Sequence, residues 1–182
     1  MRVAIDQISN PSWYLKPLFW LQKKKYGRAL NSSLVWATMP RAFLSLASLY
    51  GALDRKKSPL APALRSLIIV RVSQINECAF CIDINSANLI QRSGTEGQCL
   101  QLNSWRQSTL FSPSECAALD YAERVTYSDQ HPDDACFNLL KVYYNEQEII
   151  ELTALIAFQN MSSKFNSALE IESQGFCRFK KI

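Results

Sequence analysis

The chain has 182 residues, 48% hydrophobic and 20% charged, with a formal net charge of +4. That length supports one domain with a full-sized core, and the apolar content excludes a disordered chain. Apart from Lys23–Lys25 and Arg55–Lys57 the basic residues are scattered, which argues against nucleic-acid binding, and the longest purely aliphatic run, Leu67–Val70, is too short to cross a membrane.

In chain order, Asp6, Asn10 and Pro11 interrupt the N-terminus before any apolar stretch of leader length, so the expected compartment is the cytoplasm, where thiols are kept reduced. "KPLFWLQKKKY" then predicts a first helix, with Gly27 as its stop and the lysines complementing the dipole at its end. Residues 1–35 are expected to form a helical extension, and residues 36–182 the main domain. The aromatic cluster of Trp13, Tyr14, Phe19 and Trp20 is expected to pack on that domain. Pro40 opens a helix through "PRAFLSLASLYGALD", and Pro59 or Pro62 opens "ALRSLIIVRVSQIN". A helix through "CAFCIDINSANLI" starts near Cys78, with Gly94 as its stop.

Further on, "SPSE" from Ser112 to Glu115 is a capping box that opens the helix "CAALDYAERVTY". "DDACFNLLKVYY" predicts a shorter helix entered through His131 and Pro132. "NEQE" repeats the cap logic before a helix so apolar around its circumference that central burial or a subunit interface is expected. About seven or eight helices result, with no alternating run long enough for a strand, so the fold class is all-α.

The chemistry concentrates at Cys78 and Cys81. A cysteine in the first helical turn meets unpaired N–H groups and the positive end of the dipole, which favour the thiolate. Residues three apart share a helix face, so the two sulfurs can close a disulfide. A zinc site is not expected, because Cys99, Cys116, Cys136 and Cys177 form no second pair and His131 is the only histidine. His131 reads as a surface residue in a loop. Glu77, just before Cys78, is a candidate base, whereas Asp83 reads as a solvated acid pointing away from Cys81.

The segments "LRSLIIVRVSQINECAFCIDINSA", "CAALDYAERVTY" and "YNEQEIIELTALIAFQNMSSKFNSAL" resemble, in that order, the carboxymuconolactone decarboxylase / alkyl hydroperoxidase D-like family over roughly residues 40–170. The resemblance implies an all-α helical bundle whose central hairpin carries the C-x-x-C pair and which assembles as a homo-oligomer, from dimer to hexamer. It implies Cys81 as the thiolate attacking a peroxide and Cys78 as the resolving cysteine. In the redox-active branch a glutamate and a histidine relay the proton; those positions hold Ser66 and Asn85 here. Asn85 can donate an N–H to a thiolate but cannot accept its proton, and Ser66 can hydrogen-bond but cannot relay charge.

The expected function is therefore a C-x-x-C thiol–disulfide oxidoreductase of alkyl hydroperoxidase type with an altered proton relay. It needs no metal or organic cofactor, takes a hydroperoxide as substrate, and uses an external thiol or dithiol reductant. The alternative is a non-catalytic helical oligomer of the same family that has lost turnover.

Overall fold

The computed structural model of the chain describes residues 1–3, 12–93 and 95–177. The expected stop at Gly94 lies outside them, as do Asp6, Asn10 and Pro11. The described residues form nine α-helices and no strand: α1 (Lys16–Tyr26), α2 (Asn31–Trp36), α3 (Pro40–Leu53), α4 (Pro62–Ile75), α5 (Ala79–Ser93), α6 (Gly97–Gln101), α7 (Pro113–Thr126), α8 (Asp134–Tyr143) and α9 (Glu146–Ala168). None is long and apolar enough to cross a membrane.

Local signals account for most boundaries. Gly27 ends α1 with φ +76°, a backbone conformation that glycine adopts without steric cost. Pro40 and Pro62, rather than Pro59, occupy first-turn positions of α3 and α4. Ser112 and Asn145 each complete a capping box, with Glu115 and Glu148, and Asp133 caps α8 by accepting from the Cys136 N–H. The short α2 and α6, and a 3-10 turn at Leu102–Gln107, were not expected. At six residues or fewer they are too short to show a helical period.

The helix enclosed on all sides is α4, not α9. Leu67, Ile68, Val70 and Val72 have no exposed surface, and even Arg65, Ser66 and Ser73 of α4 are buried. It packs against α5, α7 and α9 in a core completed by Leu89, Leu119, Leu152 and Ile156. In contrast, α9 leaves Ile150 67% exposed, so its apolar circumference is not wholly used within this chain.

The N-terminal aromatic cluster divides. Phe19 is buried with Leu15, Ala37 and Phe43, but Trp13 is 77% and Trp20 60% exposed, and Tyr14 is exposed as well. The expected packing on the main domain is thus corrected for those three.

A partly buried ion cluster holds α3 to the hairpin of α4 and α5. Asp54, the residue after α3, accepts from Arg65 Nε at 3.1 Å and from Arg92 Nη2 at 2.6 Å. Burial pushes the Asp54 carboxyl up, but the hydrogen bonds and charges of Arg92 and Arg65 outweigh it and hold the group below its ordinary value.

Asp54→Asn removes the charge that both guanidinium groups face, and Arg65 is almost fully buried. Urea unfolding at neutral pH is expected to show a loss of about 3 kcal/mol, the low end for a broken buried pair because Arg92 reaches solvent. Since the folded pKa lies below the unfolded one, this stabilisation is complete above roughly pH 4 and fades as pH falls through the folded value. The wild-type and Asp54→Asn stabilities should therefore converge in acid.

Candidate active site

The site begins where α4 reverses into α5. Asn76 caps α4, and Glu77 makes the reversal with φ +52°, a left-handed conformation uncommon outside glycine. The Cys78 N–H turns back to the Ser73 carbonyl at 3.0 Å, and α5 starts at Ala79. Cys81 therefore lies in the first turn of α5. The two cysteines are disulfide-bonded with their Cα atoms 5.2 Å apart. The Cys81 backbone N–H donates to Cys78 Sγ at 3.1 Å.

The two sulfurs are not equivalent. Cys78 is fully buried, whereas Cys81 forms part of the wall of a cavity of about 310 Å³. Asn85 and Asn88 follow Cys81 along the cavity side of α5, at the one-turn spacing of a helix face. The rest of the wall comes from α1, α2, α3 and α9 and from Phe80 and Ile84 of α5, and is largely apolar, with Leu18, Phe43 and Phe158 among its residues. Residues of α1 and α2 thus cover the site.

Asn85 reaches the cavity, but its side chain has no hydrogen-bond partner among the described residues. The side-chain N–H that meets the Cys81 sulfur comes from Asn166 on α9, with Nδ2 at 3.2 Å from Sγ. Asn166 is 1% exposed, and its Oδ1 accepts from the Ser32 hydroxyl at 2.7 Å. Neither residue was a sequence candidate. No spacing rule links positions 32, 81 and 166, although an asparagine inside the apolar α9 stretch was a visible departure from pattern.

Ser66 lies away from the cavity wall, 2% exposed, and accepts from Arg92 Nη1 at 3.0 Å. The carboxylate near that guanidinium is Asp54, delivered by α3. Tyr50, one turn before Asp54, lines the cavity and donates its hydroxyl to Asp54 Oδ2 at 3.4 Å. Burial, then the Asp54 charge, pushes the Tyr50 phenol well above its ordinary value, so it remains a proton donor at neutral pH. Glu77 is exposed on the reversal and lies outside the cavity wall. The structure therefore brings Cys81 and Asn85 to one cavity, with Cys78 behind, and leaves Ser66 and Glu77 apart from it.

Asp83 is a correction. It is buried rather than solvated, accepting the Gln174 N–H at 2.8 Å and the Cys177 N–H at 2.7 Å. The C-terminal segment folds over α5 and spends this carboxylate on its backbone. His131 is exposed in the loop before α8. The remaining thiols are poorly reactive by environment: burial pushes Cys99 and Cys136 each up to about 11 and raises Cys116 and Cys177 as well.

Comparison with known proteins adds four likenesses. A model of the carboxymuconolactone decarboxylase family matches residues 40–124. The uncharacterized protein YnjA of Escherichia coli (strain K12) is 42% identical over 176 residues, 97% of each chain. Among solved structures, an uncharacterized peroxidase-related protein from Ralstonia eutropha JMP134, described as an alkylhydroperoxidase AhpD core, superposes with a TM-score of 0.86 at 20% identity, covering 96% of this chain and 93% of that one. A protein of unknown function from Agrobacterium tumefaciens, described as a putative antioxidant defence protein AhpD, gives 0.71 at 25% identity over 76% and 94%.

Mild oxidation of the fully reduced protein is expected to consume two of its six thiols, both assigned to Cys78 and Cys81 by peptide mass. Cys78→Ser and Cys81→Ser should each abolish the internal disulfide and leave Cys99 and Cys136 untouched.

Proposed function

This chain belongs to the carboxymuconolactone decarboxylase family, and we propose that within it the protein is a C-x-x-C thiol–disulfide oxidoreductase that reduces organic hydroperoxides. The observation that carries this reading is the unequal placement of two bonded sulfurs, one on a cavity wall and one sealed behind it. An attacking thiolate must meet its substrate, and a resolving thiol need only meet its partner. Cys81 and Cys78 suit those roles in that order.

In the first step the Cys81 thiolate attacks the terminal peroxide oxygen. The S–O bond forms, the O–O bond breaks, and the departing alkoxide takes a proton to leave as the alcohol. In the second step the Cys78 thiolate attacks the sulfenic sulfur, forming S–S and releasing the hydroxyl, which is protonated to water. An external dithiol entering by the cavity then attacks Cys81, expels Cys78 as thiolate, and leaves as its own cyclic disulfide. The apolar wall favours a peroxide with an organic group over hydrogen peroxide, since burying that group against Leu18, Phe43 and Phe158 gains roughly 25 cal/mol per Å² removed from water. A phenol that can supply the alkoxide's proton from the cavity wall is Tyr50, and no carboxylate or imidazole among the described residues lines that wall.

The test is direct. With an organic hydroperoxide, Cys78→Ser should accumulate a sulfenic acid at Cys81 that dimedone traps, and Cys81→Ser should give none. Wild-type Cys81 should react roughly tenfold or more faster than a free thiol. A rate equal to that of a free thiol would instead support the non-catalytic oligomer.

A homo-oligomer is part of the same proposal. Leu139, Val142 and Tyr143 on α8 and Ile150 on α9 are large apolar side chains left exposed, and a second copy of the chain is the expected cover. Sedimentation at micromolar concentration is expected to give a dimer or larger, shifted toward monomer by Val142→Glu combined with Ile150→Glu.

A further inference from the structure

A buried thiolate is unfavourable unless something donates to it. Cys81 is 2% exposed, within an apolar cluster of Val35, Phe80, Ile84 and Ile171, and burial of that kind favours the neutral thiol. Its position in the first turn of α5 supplies some dipole stabilisation. Its own backbone N–H, however, is directed at Cys78 Sγ.

The ionisable groups facing the cavity are Lys25 and Tyr26 of α1 and Tyr50 of α3; the cavity residues of α2 and α9 are uncharged. Asp83, on α5 itself, is occupied by the backbone of the C-terminal segment. Among the described residues, one side chain donates to the Cys81 sulfur, and that is Asn166 at 3.2 Å.

The amide is held in the orientation that this contact needs. A carboxamide presents an acceptor on one side and donors on the other. The Ser32 hydroxyl donates to Oδ1 at 2.7 Å, which turns the NH₂ toward sulfur. Both residues are buried, so little water competes for either contact. Ser32 is itself placed by the junction into α2, where the Asn31 N–H donates to the Gln174 side chain at 2.8 Å and Ser33 accepts from Gln22 at 2.7 Å.

Resting on the reading of Cys81 as the attacking residue, we infer that Asn166 is a catalytic residue, holding the reduced Cys81 sulfur as thiolate through Nδ2–H, and that Ser32 is the positioning residue that orients it. Reduction removes the bond to Cys78 and leaves the same N–H facing a sulfur that now carries charge. The departing thiol proton goes to solvent through the cavity, because an amide takes none. The N-terminal segment is thereby part of the reactive centre as well as its cover.

The experiment uses the full-length reduced protein and iodoacetamide, with alkylation at Cys81 followed by peptide mass as a function of pH. In Asn166→Ala the thiolate fraction at neutral pH should fall roughly 10- to 100-fold, the range expected for losing one hydrogen bond to a charged group. Asn166→Asp, which turns a carboxylate on the sulfur, should fall further. Ser32→Ala should give a smaller shift in the same direction, and Ser32→Thr, which keeps the hydroxyl, should restore the wild-type profile.

An unshifted Cys81 profile in folded Asn166→Ala overturns the inference, as does a shift in Asn85→Ala with none in Asn166→Ala. Should Asn166→Ala not fold, the Ser32 pair decides, and equal profiles for Ser32→Ala and Ser32→Thr overturn it. The two readings fail separately. Wild-type turnover of hydroperoxide with an unshifted Asn166→Ala profile rejects the role of Asn166 alone. Absence of turnover rejects the peroxidase reading, and the alkylation profile still decides whether Asn166 stabilises the thiolate.

Discussion

The register of α9 against the α4–α5 hairpin is set by a ladder of buried and half-buried amides and hydroxyls. Gln159 Nε2 donates to Ser73 Oγ at 2.9 Å; Asn76 Nδ2 donates to Asn160 Oδ1 at 2.9 Å and to Ser163 Oγ at 2.8 Å; Asn166 Nδ2 reaches Cys81 at 3.2 Å. Positions 159, 160, 163 and 166 form one stripe along α9. A polar group buried without a partner costs about 1–3 kcal/mol. A shift of α9 by one turn would orphan several at once, so this seam admits one arrangement where a purely apolar seam would tolerate several. The residue that meets Cys81 is a consequence of that register.

The hairpin itself depends on enclosure of α4. A helix buried on every side cannot rotate or slide without opening voids, so the reversal at Asn76 and Glu77 is delivered to a fixed place. Cys78 and the first turn of α5, with Cys81, follow from it. The Asp54 cluster then fastens α3 to this hairpin, and α3 carries Tyr50 and Phe43 to the cavity wall. The entry to α2 is locked from the other end of the chain, where Gln174 joins residues 29 and 31 and Asp83 holds Gln174 and Cys177. Cover, site helix and C-terminus form one connected structure.

Around Cys81 the polar groups are mainly neutral: Asn85, Asn88, Gln159 and Asn166 line the same cavity. Amides can stabilise a thiolate by donation but cannot carry a proton away. On the proposed reading, charge stabilisation falls to these amides in the protein interior, and proton movement falls to the cavity and to the phenol of Tyr50 on its wall. The charged groups that could have joined the site are spent on structure instead, with Asp54 held by two arginines and Asp83 by two backbone N–H groups.

The all-α class, the caps at Ser112 and Asn145, the stop at Gly27 and the placement of Cys78 and Cys81 at a helix start were legible because each is local. They follow from residues within one or two turns of each other, where propensity, capping and the dipole act. The short α2 and α6 were not legible, having too few residues to display a period, and neither was the all-round burial of α4, since a four-residue aliphatic run does not report its neighbours. The same limit applied to the site. Cys81 and Asn85 share a helix and could be paired from spacing, whereas Asn166 and Ser32 lie 85 and 134 residues from their partners. Contacts at that separation are decided by helix packing and by the need to satisfy buried polar groups, and only the tertiary structure could assign to Asn166 the N–H that spacing alone would have given to Asn85.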